Sequence, residues 1–191
     1  VQTCALPISA IVLGTRQLGS FRGLFLGSVS TSVAAHAHGR VAVIAGAGGD
    51  GPVVVGVDDS PVSDVAVAEA FRQASLRGVP LVAVHTWTPL DADALHGYGI
   101  ETDEIIRMSE EALEALGERL AGYRADYPDV TVKHAVLPDE PAKAVLDVAG
   151  KDASLIVVGS RGRGGFKGLL LGSTSQKVMH QAQVPVLVAR T

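Results

Sequence analysis

The chain has a single cysteine, Cys4, in 191 residues, which excludes an internal disulfide. It has no long apolar run: Gly, Ser, Pro or a charge interrupts every stretch before the roughly 18 residues that a membrane helix requires. The beginning lacks the basic-then-apolar order of a secretory signal. A surplus of positive charge is missing too, since 16 Lys and Arg stand against 20 Asp and Glu for a net charge of −4. General attraction to nucleic acid or to an acidic membrane is therefore not expected. What is present is 47% hydrophobic and 19% charged residues with a mean hydropathy of +0.30, enough for one sizeable core and incompatible with a disordered or fibrous chain. A soluble, cytoplasmic protein of one domain, or one and a fraction, is the expectation.

The charge is unevenly spread. Between Asp58 and Asp147 lie 18 acidic and 7 basic residues, whereas from Lys151 onward there are 6 basic residues and 1 acidic one. A basic, glycine-rich end on an acidic protein points to a small anionic ligand, although a solvated cationic loop has the same composition.

The sequence repeats itself at an offset of 145 residues. Val12–Ile44 aligns without a gap on Val157–Ala189, with fifteen identities in thirty-three positions. The later copy is the end of a unit that starts near Pro52, so the earlier copy reads as the end of a preceding unit whose beginning, roughly 100 residues, is absent. The chain thus reads as a truncated tandem: 9–45 the end of a first unit, 46–51 a flexible linker (GAGGDG) and 52–191 a complete unit. The first eight residues, VQTCALPI, match the in-frame translation of a common sequencing-library adapter. They are read as a non-native leader, with genuine protein starting near Ser9, whose image in the repeat is Ser154.

Within the complete unit, short apolar runs alternate with amphipathic ones, the pattern of buried parallel strands joined by crossover helices. Strands are expected at 52–58, 79–86, 130–136, 154–159 and 185–190. Helices are expected at 61–76, 102–126 and 139–149, with a fourth starting at Ser173. Ser60 is the expected N-cap of the first helix, with Pro61 at its first position. On the long helix Ile105, Ile106, Leu113, Leu116, Leu120 and Tyr123 recur at helical spacing, opposite Glu110, Glu111, Glu114 and Glu118. The result is an α/β, Rossmann-like fold: a five-stranded parallel sheet with helices on both faces, preceded by a remnant strand-helix-strand.

In such sheets ligands bind beyond the carboxyl ends of the strands, where the strand order reverses. Two strand ends carry suitable chemistry. GVDDS, from Gly56 and Val57 through Asp58 to Ser60, projects a carboxylate able to accept from ribose hydroxyls or an adenine amine, though Asp before a helix is also ordinary capping. GSRGRGGFKGLLLGST, Gly159–Thr174, leaves the fourth strand as a loop whose glycines let backbone N–H groups approach an anion. Its far end, Gly172 and Ser173, opens a helix whose free amides and dipole attract phosphate, and Ser173 with Gln176 also reads as a capping box. The loop is neither a P-loop nor a dinucleotide fingerprint, and Ser60, Ser160 and Ser173 lack a nucleophile elbow. His36 and His38 are two apart and do not share a helix face, and His85, His96, His134 and His180 have no recognisable ligand spacing, so no metal site is expected. Trp87, just past the second strand, is read either as a cover for the adenine edge or as a partly buried aromatic at a sheet edge.

At these residues the chain resembles the universal stress protein family, in its nucleotide-binding branch, and specifically the C-terminal part of a tandem-domain member. The branch signature G-2x-G-9x-G-[ST] falls on Gly159, Gly162, Gly172 and Ser173, with Asp58 where the family carries its strand-one aspartate. The resemblance implies strand order 3-2-1-4-5, bound ATP with or without Mg2+, and pairing through the fifth strands, either between tandem domains or in a homodimer. It implies that Gly56, Val57 and Asp58 contact ribose or adenine and that Val84 and His85 flank adenine. By the same resemblance Gly159, Ser160, Arg161, Gly162, Gly165, Gly172, Ser173 and Thr174 hold the phosphates. The earlier copy departs from the signature, reading Gly14, Gln17, Gly27 and Ser28 with no aspartate strand, so no complete site is expected there. Its strand at Val41–Ile44 is expected to pair with Val186–Ala189 in the intact tandem and, here, to dangle or to dock in that position. The leading expectation is an ATP-binding, regulatory stress-response protein with little or slow hydrolysis, because no general base and no pair of metal-binding carboxylates is visible. An adenylate-cleaving or -transferring enzyme, or an interaction module with structural nucleotide, are the alternatives.

Overall fold

The computed structural model of the chain describes residues 10–14, 27–44, 46–162 and 171–190. In chain order its elements are β1 (Ala10–Gly14), α1 (Ser28–His36), β2 (Arg40–Ile44), β3 (Val53–Val57), α2 (Pro61–Arg77), β4 (Leu81–Thr88), α3 (Ala92–Gly97), α4 (Thr102–Asp126), β5 (Val132–Pro138), α5 (Pro141–Ala149), β6 (Leu155–Gly159), α6 (Ser173–Gln181) and β7 (Val186–Ala189). No helix among the described residues is long and apolar enough to cross a membrane.

The expected five-stranded parallel sheet is corrected to a seven-stranded mixed one, in the order β1-β2-β7-β6-β3-β4-β5. Strands β3 to β7 form its parallel part, running β5-β4-β3-β6-β7. The two further strands come from the earlier copy, and β2 joins β7 antiparallel. The physical reason is edge satisfaction: β7 alone would present a row of unpaired N–H and C=O groups, and β2 covers them.

Element boundaries repeat the offset of 145: β1 maps onto β6, and α1 onto α6. The β2–β7 ladder is its own image under that offset. Val41 lies opposite Val188 and Val43 opposite Val186, with Ala42 opposite Leu187 at the centre, which makes the junction a local pseudo-two-fold.

Strand alternation divides the core into two layers. Val54, Val84, Ile156, Val158, Val186 and Val188 face α5 and α6, while Val53, Val55, Val57, Leu81, Ala83 and Leu187 face α2 and α4. Phe71 of α2 is fully buried in the second layer, stacked on Tyr123 with ring centroids 5.6 Å apart and tilted against Tyr127 at 5.8 Å. On α4, Ile105, Leu116 and Leu120 are buried as expected, but Ile106 and Leu113 are not, at 50% and 42% exposed. At ~100° per residue they sit roughly a quarter-turn round from Ile105, beyond the reach of the sheet.

Local signals account for the termini. Ser60 Oγ accepts from Ser63 N at 3.3 Å, with Pro61 opening α2, and Gly78 closes it in the left-handed region at φ 64°. The short α3 had no sequence expectation; its N-cap Asp91 accepts from Ala94 N at 2.8 Å and Leu95 anchors it in the interior. Residues 46–51 are not the free linker that their glycine content suggests. Gly49 N and Gly51 N donate to Ala153 O and Asp152 O at 3.0 and 2.9 Å, and a Cβ at either glycine would lie 2.3 Å from Asp152 O. Close backbone approach is what these glycines provide.

One buried carboxylate ties the earlier copy to the complete unit. Glu69 of α2, 4% exposed, meets Arg40 Nε of β2 at 3.0 Å, Arg72 Nη2 at 2.6 Å and Gln73 Nε2 at 3.0 Å. Burial alone would raise its pKa; the hydrogen bonds from Arg72 and Gln73, with the charges of Arg72 and Arg40, outweigh that and hold it below the ordinary 4.5. A carboxylate with a lowered folded pKa stabilises fully above the unfolded value and loses that contribution as pH falls through the folded one. Stability of the wild type should therefore fall more steeply than that of Glu69→Gln as pH drops below about 4.5, as read by urea unfolding across that range.

Candidate functional site

The reversal of strand order lies between β3 and β6: the chain leaves β3 for β4 on one side and later returns to β6 on the other. A cavity of about 480 Å3 opens there at the carboxyl ends of the strands, within the size range of small-molecule sites. Its walls come from the ends of β3, β4 and β6, the first turns of α2 and α6, and the start of α5.

One wall is apolar. Val84, Val145 and Val158, all nearly fully buried, face the cavity together with Pro141. The end of β3 supplies Gly56, Val57 and Asp58. Gly56 is small for a reason, since a Cβ there would lie 3.2 Å from Val145 Cγ2 and narrow the cavity floor. Asp58 is oriented by the turn into α2: its Oδ1 accepts from Ser60 N at 3.0 Å and Ser60 Oγ at 2.5 Å, while Asp58 N donates to Ser63 Oγ at 3.0 Å.

The opposite end is built of backbone. Arg161, Gly162, Gly172, Ser173 and Thr174 line it, and α6 presents its N-terminus. A Cβ on Gly162 would sit 2.5 Å from Asp58 Oδ2, so any side chain here would drive into the carboxylate. Gly172 is the N-cap of α6, with extended rather than left-handed backbone (φ −71°, ψ 153°). Its need for glycine is proximity: a Cβ would meet Arg161 Cα at 3.3 Å and Gly162 N at 3.5 Å. The expected capping box is corrected accordingly. With Gly172 as the cap, Ser173 is already inside the helix, and Gln176 Nε2 reaches Leu171 O at 3.4 Å.

Three sequence-read residues are placed elsewhere. His85 is adjacent to Val84 on a strand and therefore points to the other face, where its Nδ1 meets Val57 O at 2.9 Å. Trp87 shares that face, and its indole N–H donates to Ser109 Oγ of α4 at 3.1 Å, so it does not cover the cavity. Ser160 is buried and works through its backbone, donating to Ala189 O and accepting from Gly172 N, both at 2.8 Å. Gly159 lines the cavity, and Gly165 lies outside the described residues. The residues not anticipated are Ser63, Thr86, Pro141, Val145, Val158 and Ser175. Thr86 was within reach of the sequence, being two residues from Val84 on one strand face.

In the earlier copy Gly27 caps α1 with φ −64° and ψ 157°, matching Gly172, while Gln17 lies outside the described residues. Among the described residues no group of three or more His, Cys, Asp or Glu could hold a metal ion.

Comparison with known proteins bears on the whole chain. A universal stress protein of Mycobacterium tuberculosis is 46% identical over 191 residues, covering 96% of this chain and 59% of its own length, so the chain spans about three fifths of the curated relatives it matches. The crystal structure of a universal stress protein from Archaeoglobus fulgidus matches 95% of this chain and 60% of its own, with TM-score 0.59 and 27% identity. A structure of the universal stress protein from Archaeoglobus fulgidus in complex with dAMP matches 73% of this chain and 98% of its own, with TM-score 0.53 and 27% identity. The model of the universal stress protein family matches residues 5–45 and again 51–190. With both copies and nearly all of the described fold inside those matches, the chain belongs to the universal stress protein family.

Proposed function

We propose that the cavity binds an adenine nucleotide, ATP in the first instance, and that the protein is a cytoplasmic, regulatory stress-response nucleotide sensor built of two such units in tandem. The observation that carries this reading is the arrangement of three kinds of surface around one cavity: an apolar wall, an oriented carboxylate, and a helix N-terminus reached through glycine. Each suits one part of the ligand. Val84, Val145 and Val158 offer a flat apolar surface to the base. Asp58, held by Ser60, accepts hydrogen bonds from ribose hydroxyls. The N-terminus of α6 with Gly162, Gly172 and Ser173, and the Arg161 guanidinium, receive the phosphates. The Archaeoglobus relative in complex with dAMP supports the ligand class, an adenine nucleotide.

The reading also predicts slow turnover. Asp58 is the one acidic residue among the described lining residues, and it is committed to the sugar end, so no lining residue there is placed to orient an attacking water. Mg2+ accompanying ATP would be held through the phosphates, since no pair of carboxylates among the described residues lines that end. Two measurements on one preparation test the proposal. Denatured protein should release an adenine nucleotide identifiable by chromatography and mass spectrometry, and purified protein should hydrolyse ATP far below the ~1–10³ s⁻¹ typical of enzymes. Turnover within that range, abolished by Asp58→Ala, would favour an adenylate-cleaving enzyme instead.

A further inference from the structure

Strand pairing alone leaves the outer edge of β7 a choice of two occupants. The β2–β7 ladder maps onto itself under the repeat, Val41 opposite Val188 being the image of Val43 opposite Val186. An edge that accepts its own image within the chain satisfies the same register with β7 of a second copy, placing Val186 opposite Val188 and Leu187 opposite Leu187.

Two side-chain clasps flank the ladder, and they discriminate differently. Arg190 donates from Nη1 to Ala37 O at 2.7 Å and from Nη2 to Ala35 O at 2.8 Å, gripping the end of α1. The images of those residues are Ala182 and His180 at the end of α6, which every copy carries, so Arg190 serves either pairing. Arg40 does not. Its partner Glu69 is almost wholly buried, and the residue that replaces Arg40 in the image is Pro185, with neither charge nor donor. A second copy would bring Pro185 toward Glu69 where β2 brings a guanidinium. The centre of the ladder points the same way, since Ala42 opposite Leu187 pairs small with large whereas self-pairing sets two leucines face to face.

We propose that Arg40, through its ion pair with Glu69, is the specificity determinant that commits the β7 edge to the chain's own β2 and keeps a second copy of the chain out. Glu69 keeps Arg72 and Gln73 when Arg40 is lost, so the complete unit stays folded and the edge is released. Arg40 is 41% exposed and holds Glu69 as an ion pair, so its loss shifts the competition by about threefold to tenfold.

The test uses the full chain with Arg40→Met, which keeps the apolar stem and removes the charge, beside Arg40→Lys, which keeps the charge. Sedimentation equilibrium reads the oligomeric state and hydrogen exchange reads protection of residues 40–44. Wild type and Arg40→Lys should be monomeric with β2 protected. Arg40→Met should lose about threefold to tenfold of that protection and dimerise about threefold to tenfold more readily. The proposal is overturned by an Arg40→Met chain that stays monomeric, whether β2 remains protected or exchanges freely. It is equally overturned by a wild type already dimeric with unprotected β2, or by an Arg40→Lys chain that dimerises as readily as Arg40→Met.

Discussion

Gly172→Glu should lower ATP affinity by about one to three decades while leaving the circular dichroism of the protein unchanged. The new carboxylate would stand at the N-terminus of α6, beside the place assigned to the phosphates, and repulsion between close charges at a partly screened site is worth roughly 1–4 kcal/mol. The structure adds a second term. A Cβ at Gly172 approaches Arg161 Cα at 3.3 Å and Gly162 N at 3.5 Å, so the loop backbone must give way before the charge acts. Gly172→Ala isolates that steric part and should lose less affinity than Gly172→Glu. The matching change in the earlier copy, Gly27→Glu, meets no atom of the described residues within 4 Å of its Cβ and should leave affinity nearly unchanged. Calorimetric titration of ATP into the three variants decides it. Equal affinity for Gly172→Glu and wild type would move the phosphates away from α6.

The largest effect on stability is expected from Phe71→Ala. Phe71 is fully buried between α2 and the sheet, and its ring is stacked on Tyr123 and packed against Tyr127. Truncation removes the transfer free energy of the ring and the aromatic contacts, and leaves a cavity that the β3–β4 surface cannot close, for a loss of about 3–5 kcal/mol. Urea unfolding should show the midpoint falling with an unchanged slope. A loss under about 1 kcal/mol would mean that α2 and α4 do not pack through this ring in solution.

The parts of the fold legible in the sequence were those governed by short-range pattern. Apolar runs marked β3, β6 and β7 to within a residue or two, and Ser60 with Pro61 marked the start of α2. The second strand was expected two residues early because Val79 is apolar; in the structure its N–H closes the end of α2 by bonding Ala74 O, and Gly78 rather than Val79 sets the boundary. The strand then runs on past an irregularity at Trp87 to Thr88, whose pairing with Pro138 of β5 depends on a partner 50 residues distant. α3, six residues long with little room for periodicity, does not follow from local propensity, and the junction of β2 with β7 was anticipated, as one of two alternatives, through the family resemblance rather than through propensity.

The site divides in the same way. Asp58, Gly162, Gly172 and Ser173 were legible because a carboxylate at a strand end and glycines at fixed spacing are local chemistry. Pro141, Val145 and Val158 were not, because the apolar wall exists only once α5 is laid over β3 and β6. His85 and Trp87 were drawn toward the site by proximity in sequence, and the period of two along β4 sends both to the opposite face.

The most direct test of the account is a crystal structure of the chain grown with saturating ATP. Electron density for the base should lie against Val84, Val145 and Val158, with the ribose at Asp58 and the phosphates at Gly162, Gly172 and Ser173. Nucleotide density in the polar depression beside Lys143 and Lys151, or a cavity without nucleotide in protein that calorimetry shows to be saturated, would contradict it.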